Sequence, residues 1–92
     1  MHIAAVFACN FTSHLFSISE DILKRKKIQF KILTPLIQKT IEKLENGNIR
    51  KLQTGPAKRK DMKIIERHLC KIENRDYKEL YKIISGQIME NE

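Results

Sequence analysis

The sequence has few residues that end or bend secondary structure, and it contains no tryptophan. Its 92 residues include three glycines and two prolines, too few to form the many tight turns of an all-β domain. Its two cysteines, Cys9 and Cys70, form no CxxC pair and are too few for a disulfide framework. We therefore expect free thiols, a cytoplasmic protein and a fold built from helices.

Length and charge set further limits. Eighteen lysines and arginines against 11 acidic residues give a net charge of +7, and 41% of the residues are hydrophobic. This balance excludes a disordered chain and predicts one compact domain over residues 1–92, with a thin core of its own. The longest apolar run, residues 3–9, lacks a preceding basic residue and is too short for a leader peptide or a membrane span. We expect no contact with a membrane.

Hydrophobic spacing and end signals predict four helices, over residues 2–25, 35–46, 56–72 and 75–88. Apolar residues three or four apart mark the first, and Pro35, Pro56 and Asn74 mark the starts of the others. The first-helix stripe consists of Ile3, Phe7, Phe11, Leu15, Ile18 and Ile22. The prediction is an all-α, four-helix-bundle-like domain with a long, mostly buried first helix.

The start of the first helix is apolar on every side. Every residue in the range 3–11 except Asn10 is apolar, and such a helix must be covered on more than one face. We expect a partner there, either a second copy of the chain or an adjoining domain; the alternative is that the other three helices wrap it. A buried Asn10 would need hydrogen-bond partners or a polar cavity, which His2 could also line.

The sequence does not support metal binding or nucleophilic catalysis. His68 and Cys70 are two residues apart and so point to nearly opposite sides of a helix, and Cys9 and His14, five residues apart, also diverge. No serine lies in a strand-turn-helix elbow, and both Gly-rich phosphate-loop patterns are absent. We expect no metal and can name no catalytic residue.

The segment around Gly55-Pro56 is strongly basic. Five basic and no acidic residues lie between positions 48 and 60. If Pro56 begins the helix, the cations after it crowd the positive end of the helix dipole. This favours a bound anion held by the free amides at the helix start, the Thr54 hydroxyl and the Arg59 guanidinium. Alternatively, Asp61 caps a helix that starts later and the lysines are solvated.

Nucleic-acid binding is the alternative function that the charge suggests. The net charge of +7 and the clusters KRKK and KRK meet the first criterion for a nucleic-acid-binding module. Against this, Glu66 and Glu73 interrupt the basic residues of the third helix, and aromatic residues for stacking are few. The function is therefore less favoured than a role in a protein assembly.

Three stretches resemble a known family. The first helix HIAAVFACNF, the pattern TGPxxRxD from Thr54 to Asp61, and His68-Leu69 look like the helical C-terminal domain of unknown function in a group of bacterial Rossmann-like oxidoreductases. That group is similar to the pyrroline-5-carboxylate reductases and the 6-phosphogluconate dehydrogenase superfamily. The likeness extends from about residue 2 to about residue 84.

The resemblance implies a larger parent protein. Its N-terminal Rossmann domain would bind NAD(P), and the helical domain would form a homodimer and close the substrate side of the cleft. We expect the 92-residue chain to lack that Rossmann domain, to bind no cofactor of its own and to be inactive alone, as an excised domain, a subunit or a fragment. Lys60 and Cys9 depart from the residues expected in the family.

The resemblance also implies an interdomain site for a small-molecule substrate. The candidates that would line or brace it are His2, Asn10, Thr54, Gly55, Arg59 and Asp61. Their chemical roles stay open, and for Asp61 the alternatives are to anchor Arg59 or to cap a helix.

Overall fold

A computed structural model of the chain describes residues 2–91, which contain helices and turns and no strand. The all-α fold is therefore confirmed. The first helix spans residues 2–24 and has three parts: α1 (His2–Ala5), a π-helical segment (Val6–Phe11) and α2 (Thr12–Lys24). Ala5, Phe11 and Thr12 at the junctions all have right-handed helical dihedral angles, so the helix continues through the wider π turn. The sequence predicted the helix but not that turn.

The first helix ends in a Schellman motif. The Ile28 N–H donates to the Leu23 carbonyl at 3.1 Å, and the Lys27 N–H donates to the Lys24 carbonyl at 3.0 Å. Lys27 has a φ of 59°, a left-handed conformation that glycine usually occupies at this position. The chain then turns into a short 3-10 helix (Phe30–Leu33), whose Phe30 ring lies 5.9 Å from the ring of Phe16.

The middle of the chain is built of short helices. Helix α3 (Thr34–Lys43) continues into a 3-10 turn (Leu44–Asn46), and a further 3-10 helix follows (Ile49–Leu52). The Asn48 side chain caps the latter by accepting from the Arg50 N–H at 3.1 Å. The second predicted helix, 35–46, corresponds to α3 together with the turn after it.

Three helices form the C-terminal part: α4 (Pro56–Arg59), α5 (Met62–Lys71) and α6 (Arg75–Glu90). Helix α4 contacts both α5 and α6. Ala57 and Ile65 are the buried apolar residues of the described chain, 5% and 4% exposed. Asn74 caps α6 as its sequence position suggested, accepting from the N–H groups of Asp76 and Tyr77.

By their internal contacts the residues divide into two compact units, with the boundary between Thr40 and Ile41. In the first unit the apolar face of the first helix is exposed. Ile3, Phe7 and Phe11 are 73%, 64% and 50% exposed, and Leu15 and Ile22 are 40% and 43% exposed. The other residues of the first unit therefore leave this face of the helix uncovered.

Candidate functional site

The Gly55-Pro56 turn fixes the backbone of the basic segment. Gly55 has a φ of +100° and a ψ of 175°, a conformation that a residue with a Cβ rarely adopts. Pro56 follows at the first helical position, where its missing N–H costs nothing. The next residue, Ala57, is buried against the neighbouring helices. Glycine, proline and alanine therefore each have a backbone or packing reason to be here.

The third predicted helix, 56–72, is interrupted after one turn. Lys60 has a φ of 55° in the left-handed region, and its N–H donates to the Ala57 carbonyl at 3.1 Å. The Asp61 N–H donates to the Pro56 carbonyl at 2.9 Å, which closes the turn. The interruption arises because Asp61 begins a new helix: its Oδ1 accepts from the Ile64 N–H at 3.3 Å and caps α5.

This geometry decides between two alternatives left open by the sequence. Pro56 does begin a helix, but a helix of four residues has little macrodipole with which to hold an anion. The N–H groups of Arg59, Lys60 and Asp61 are bonded to carbonyl groups of the turn. Asp61 acts as a helix cap, as the alternative held. These three N–H groups are therefore not free to bind an anion.

The side chains available at this turn are Thr54 and Arg59. Both residues are exposed, and both lie within one short turn whose backbone is held by the hydrogen bond from the Arg59 N–H to the Gly55 carbonyl at 3.2 Å. A guanidinium on a fixed turn can bind a carboxylate or a phosphate with two parallel hydrogen bonds. Thr54, Gly55, Arg59 and Asp61 thus lie on one short segment of the second unit, from the residue before the turn to the cap of α5.

His2 and Asn10 belong to the first unit. His2 lies in α1, and Asn10 lies in the π-helical segment. Both residues are exposed in the chain by itself. The same holds for Ile3, Phe7 and Phe11 around them, so a buried setting for the Asn10 amide would have to come from a partner.

A polar pair that sequence reasoning missed links α5 to α6. His68 Nδ1 and the Tyr81 hydroxyl lie 2.8 Å apart, and the two rings meet edge to face with centroids 5.8 Å apart. Partial burial raises the pKa of Tyr81 above its ordinary value. His68 was among the residues that carried the family resemblance. Its partner Tyr81 lies 13 residues later on a different helix, and residue spacing within one helix cannot predict such a contact.

Other kinds of site are not formed by residues 2–91. They contain no group of three or more His, Cys, Asp or Glu side chains placed to hold a metal ion. None of their helices combines the length and apolarity needed to cross a membrane. Cys9 and Cys70 are free and exposed.

The match to a protein family covers nearly the whole chain. The profile of the family described as "Domain of unknown function (DUF2520)" matches residues 1–88. The chain belongs to the DUF2520 family. The matched range includes the first helix, the Gly55-Pro56 turn and the His68–Tyr81 pair, so every candidate residue of this DUF2520 chain lies within the family domain.

A solved structure shares the fold of the DUF2520 chain. It is the crystal structure of a protein from Bacteroides fragilis described as a "putative NADP oxidoreductase", with 37% sequence identity and a TM-score of 0.94. The match covers 97% of the DUF2520 chain and 35% of the other protein. The DUF2520 chain therefore spans about a third of that protein's length. Among curated proteins no match was found.

Proposed function

We propose that this chain is the dimerisation and substrate-side domain of an NAD(P)-dependent oxidoreductase-like protein in the cytoplasm, and that it has no activity alone. The observation that carries the proposal is the match of 97% of the chain to 35% of a protein described as an NADP oxidoreductase. A Rossmann domain that binds the dinucleotide would lie in the rest of such a protein. The free, exposed thiols of Cys9 and Cys70 fit a reducing compartment.

The exposed face of the first helix supports dimerisation. The exposed fractions of Ile3, Phe7, Phe11, Leu15 and Ile22 correspond to roughly 550 Å² per copy and about 1,100 Å² in a symmetric pair, taking about 200 Å² for each whole residue. A specific interface buries at least about 1,000 Å². If all of this area is buried, the five residues alone reach the lower limit for a specific contact between two copies.

The charge distribution favours a second copy over an acidic partner. Residues 2–19 contain no Lys, Arg, Asp or Glu, although the chain carries a net charge of +7. Two like-charged chains repel each other least when they meet through a face without charges. An acidic partner would instead be attracted to the basic residues elsewhere in the chain.

Light scattering after size-exclusion chromatography tests the dimer. At micromolar concentration we expect about twice the chain mass of 10.8 kDa. Phe11→Asp should give a monomer, because it places two carboxylates in an apolar interface. Ile83→Asp is the matched control, since Ile83 is similarly exposed at 57% but lies on α6. A monomeric wild-type chain would contradict the proposal.

The substrate-side role rests on the Gly55-Pro56 turn. There the exposed Arg59 guanidinium and the Thr54 hydroxyl would bind an anionic group of a small-molecule substrate, with Asp61 bracing the turn as the cap of α5. His2 and Asn10, on the first helix, are the candidates in the first unit. Inorganic phosphate, titrated while amide chemical shifts are followed, is the simplest probe of the turn.

We expect phosphate to shift the amide signals of residues 54–61, and Arg59→Ala to weaken its binding severalfold. Arg67→Ala is the control, since Arg67 is an equally exposed guanidinium on α5. Equal binding by the two variants would remove Arg59 from the site. Titration with duplex DNA at two salt concentrations tests the alternative function: micromolar affinity with a steep salt dependence would favour nucleic-acid binding.

A further inference from the structure

We propose that the π-helical segment Val6–Phe11 sets the register of the first helix, so that apolar residues before and after it form one straight face that docks on a second copy. This inference rests on the proposed dimer, and it adds the structural device that builds the interface. It starts from an irregular feature of the sequence, the exact four-residue spacing of the first apolar residues.

Four-residue spacing does not give a straight stripe on an α-helix. Each step of four residues advances about 400°, a drift of about 40° per step at 3.6 residues per turn. From Ile3 through Phe7 and Phe11 to Leu15 the drift in a plain α-helix would reach roughly 120°. Ile3 and Leu15 would then face directions too different for one flat partner.

The π-helical segment removes most of this drift. A π turn is closed by an i→i+5 hydrogen bond and so holds one residue more than the i→i+4 turn of an α-helix. One extra residue within the segment offsets the direction of the following helix by about 100°. The stripe before the segment is thereby brought back into line with the stripe after it, which continues at ordinary helical spacing through Leu15, Ile18 and Ile22.

Two contacts in the structure agree with this register. The rings of Phe7 and Phe11 meet edge to face across the segment, with centroids 4.9 Å apart. The Thr12 hydroxyl donates to the Phe7 carbonyl, five residues earlier, at 3.3 Å. This hydrogen bond bridges the junction at which the wide turn returns to α-helix, so Thr12 stabilises the change of register.

The π-helical segment is therefore equivalent to one extra residue inserted into an otherwise continuous α-helix. If Ala8 is deleted, the separations of Ile3, Phe7, Phe11 and Leu15 become four, three and four. That pattern is straight on a plain α-helix, and the dimer interface survives. If one alanine is inserted after Ala8, the part before the segment turns by about a further 100° and the face is split.

Sedimentation equilibrium on the 92-residue chain and the two variants tests the inference. We expect the deletion variant to keep its dimer dissociation constant within about threefold of wild type. The insertion variant should bind itself about 100-fold more weakly, because Ile3 and Phe7 leave the interface of both copies. Circular dichroism checks that both variants remain helical.

Point variants keep the test decisive if the insertion prevents folding. Phe7→Ala and Leu15→Ala, on opposite sides of the π segment, should each raise the dissociation constant about tenfold. Ala5→Ser, about 200° around the helix from Ile3, should change it less than threefold.

The outcomes separate this inference from the proposed function. A wild-type monomer would overturn both. A wild-type dimer that loses stability on deletion of Ala8, that survives the insertion, or that is insensitive to Phe7→Ala while sensitive to Leu15→Ala would overturn the register inference alone.

Discussion

Ile65 provides the sharpest test of the packing described for the second unit. It lies on α5 and is 4% exposed, whereas Ile83 on α6 is 57% exposed. Ile65→Ala removes three carbon atoms from a buried site, a loss of about 2.4 kcal/mol in transfer free energy at about 0.8 kcal/mol per group. The cavity left behind adds to this, so we expect unfolding to become easier by about 3 kcal/mol.

The same substitution at Ile83 serves as the control. Both variants gain the same few tenths of a kcal/mol in helix propensity, so the difference between them isolates burial. We expect Ile83→Ala to cost less than about 1 kcal/mol. For a chain of this size the loss at Ile65 corresponds to an unfolding temperature lower by about 12 to 24 °C.

Urea and thermal unfolding followed by far-ultraviolet circular dichroism measure both effects at one fixed protein concentration. The urea midpoint should fall for Ile65→Ala with little change in the slope of the unfolding free energy. Equal losses for the two variants would refute the reasoning, because they would show that Ile65 is no better packed than a surface residue.

Three further predictions concern local structure. Asp61→Ala should destabilise the chain by about 1 kcal/mol through loss of the α5 cap, and Asp61→Asn should not, as chemical denaturation would show. Lys27→Gly should stabilise it by about 0.5 to 1 kcal/mol, because Lys27 has a left-handed conformation that favours glycine; an unchanged midpoint would count against this. The pKa of Tyr81 is raised by burial, so its contribution to stability is complete below about pH 10 and is lost as the pH rises through the folded pKa. Ultraviolet titration of wild type and Tyr81→Phe should therefore assign to Tyr81 a phenol that ionises above pH 10, and ionisation at or below pH 10 would contradict it.

The starts of the helices in this chain can be predicted from single residues. The point at which a helix is interrupted depends on competition between two such signals. Proline at the first helical position and the Asn74 cap are visible in the sequence, and both are found. The break at Lys60 depends on which of two start signals prevails, Pro56 or Asp61. Pro56 begins α4 and Asp61 caps α5, because one helical turn fits between them before the left-handed Lys60.

The candidate site was less predictable. The sequence predicted the Gly55-Pro56 turn but not the left-handed Lys60 that ends its helix after one turn. It suggested a buried Asn10, because a helix that is apolar on every side was expected to be covered by a partner, either a second copy or an adjoining domain. The repeated four-residue spacing of apolar residues was the sequence signal for the π segment. The same spacing is also compatible with a plain α-helix whose apolar stripe drifts slowly around the axis.

In the proposed dimer, the stability of this chain would depend on its concentration. A second copy that binds the folded helix but not the unfolded chain stabilises the fold by mass action. Dilution would then lower the unfolding temperature without any change of sequence or solvent. With only Ala57 and Ile65 buried among residues 2–91, self-association through the exposed face of the first helix would supply a share of the folding free energy that larger domains obtain from their own cores.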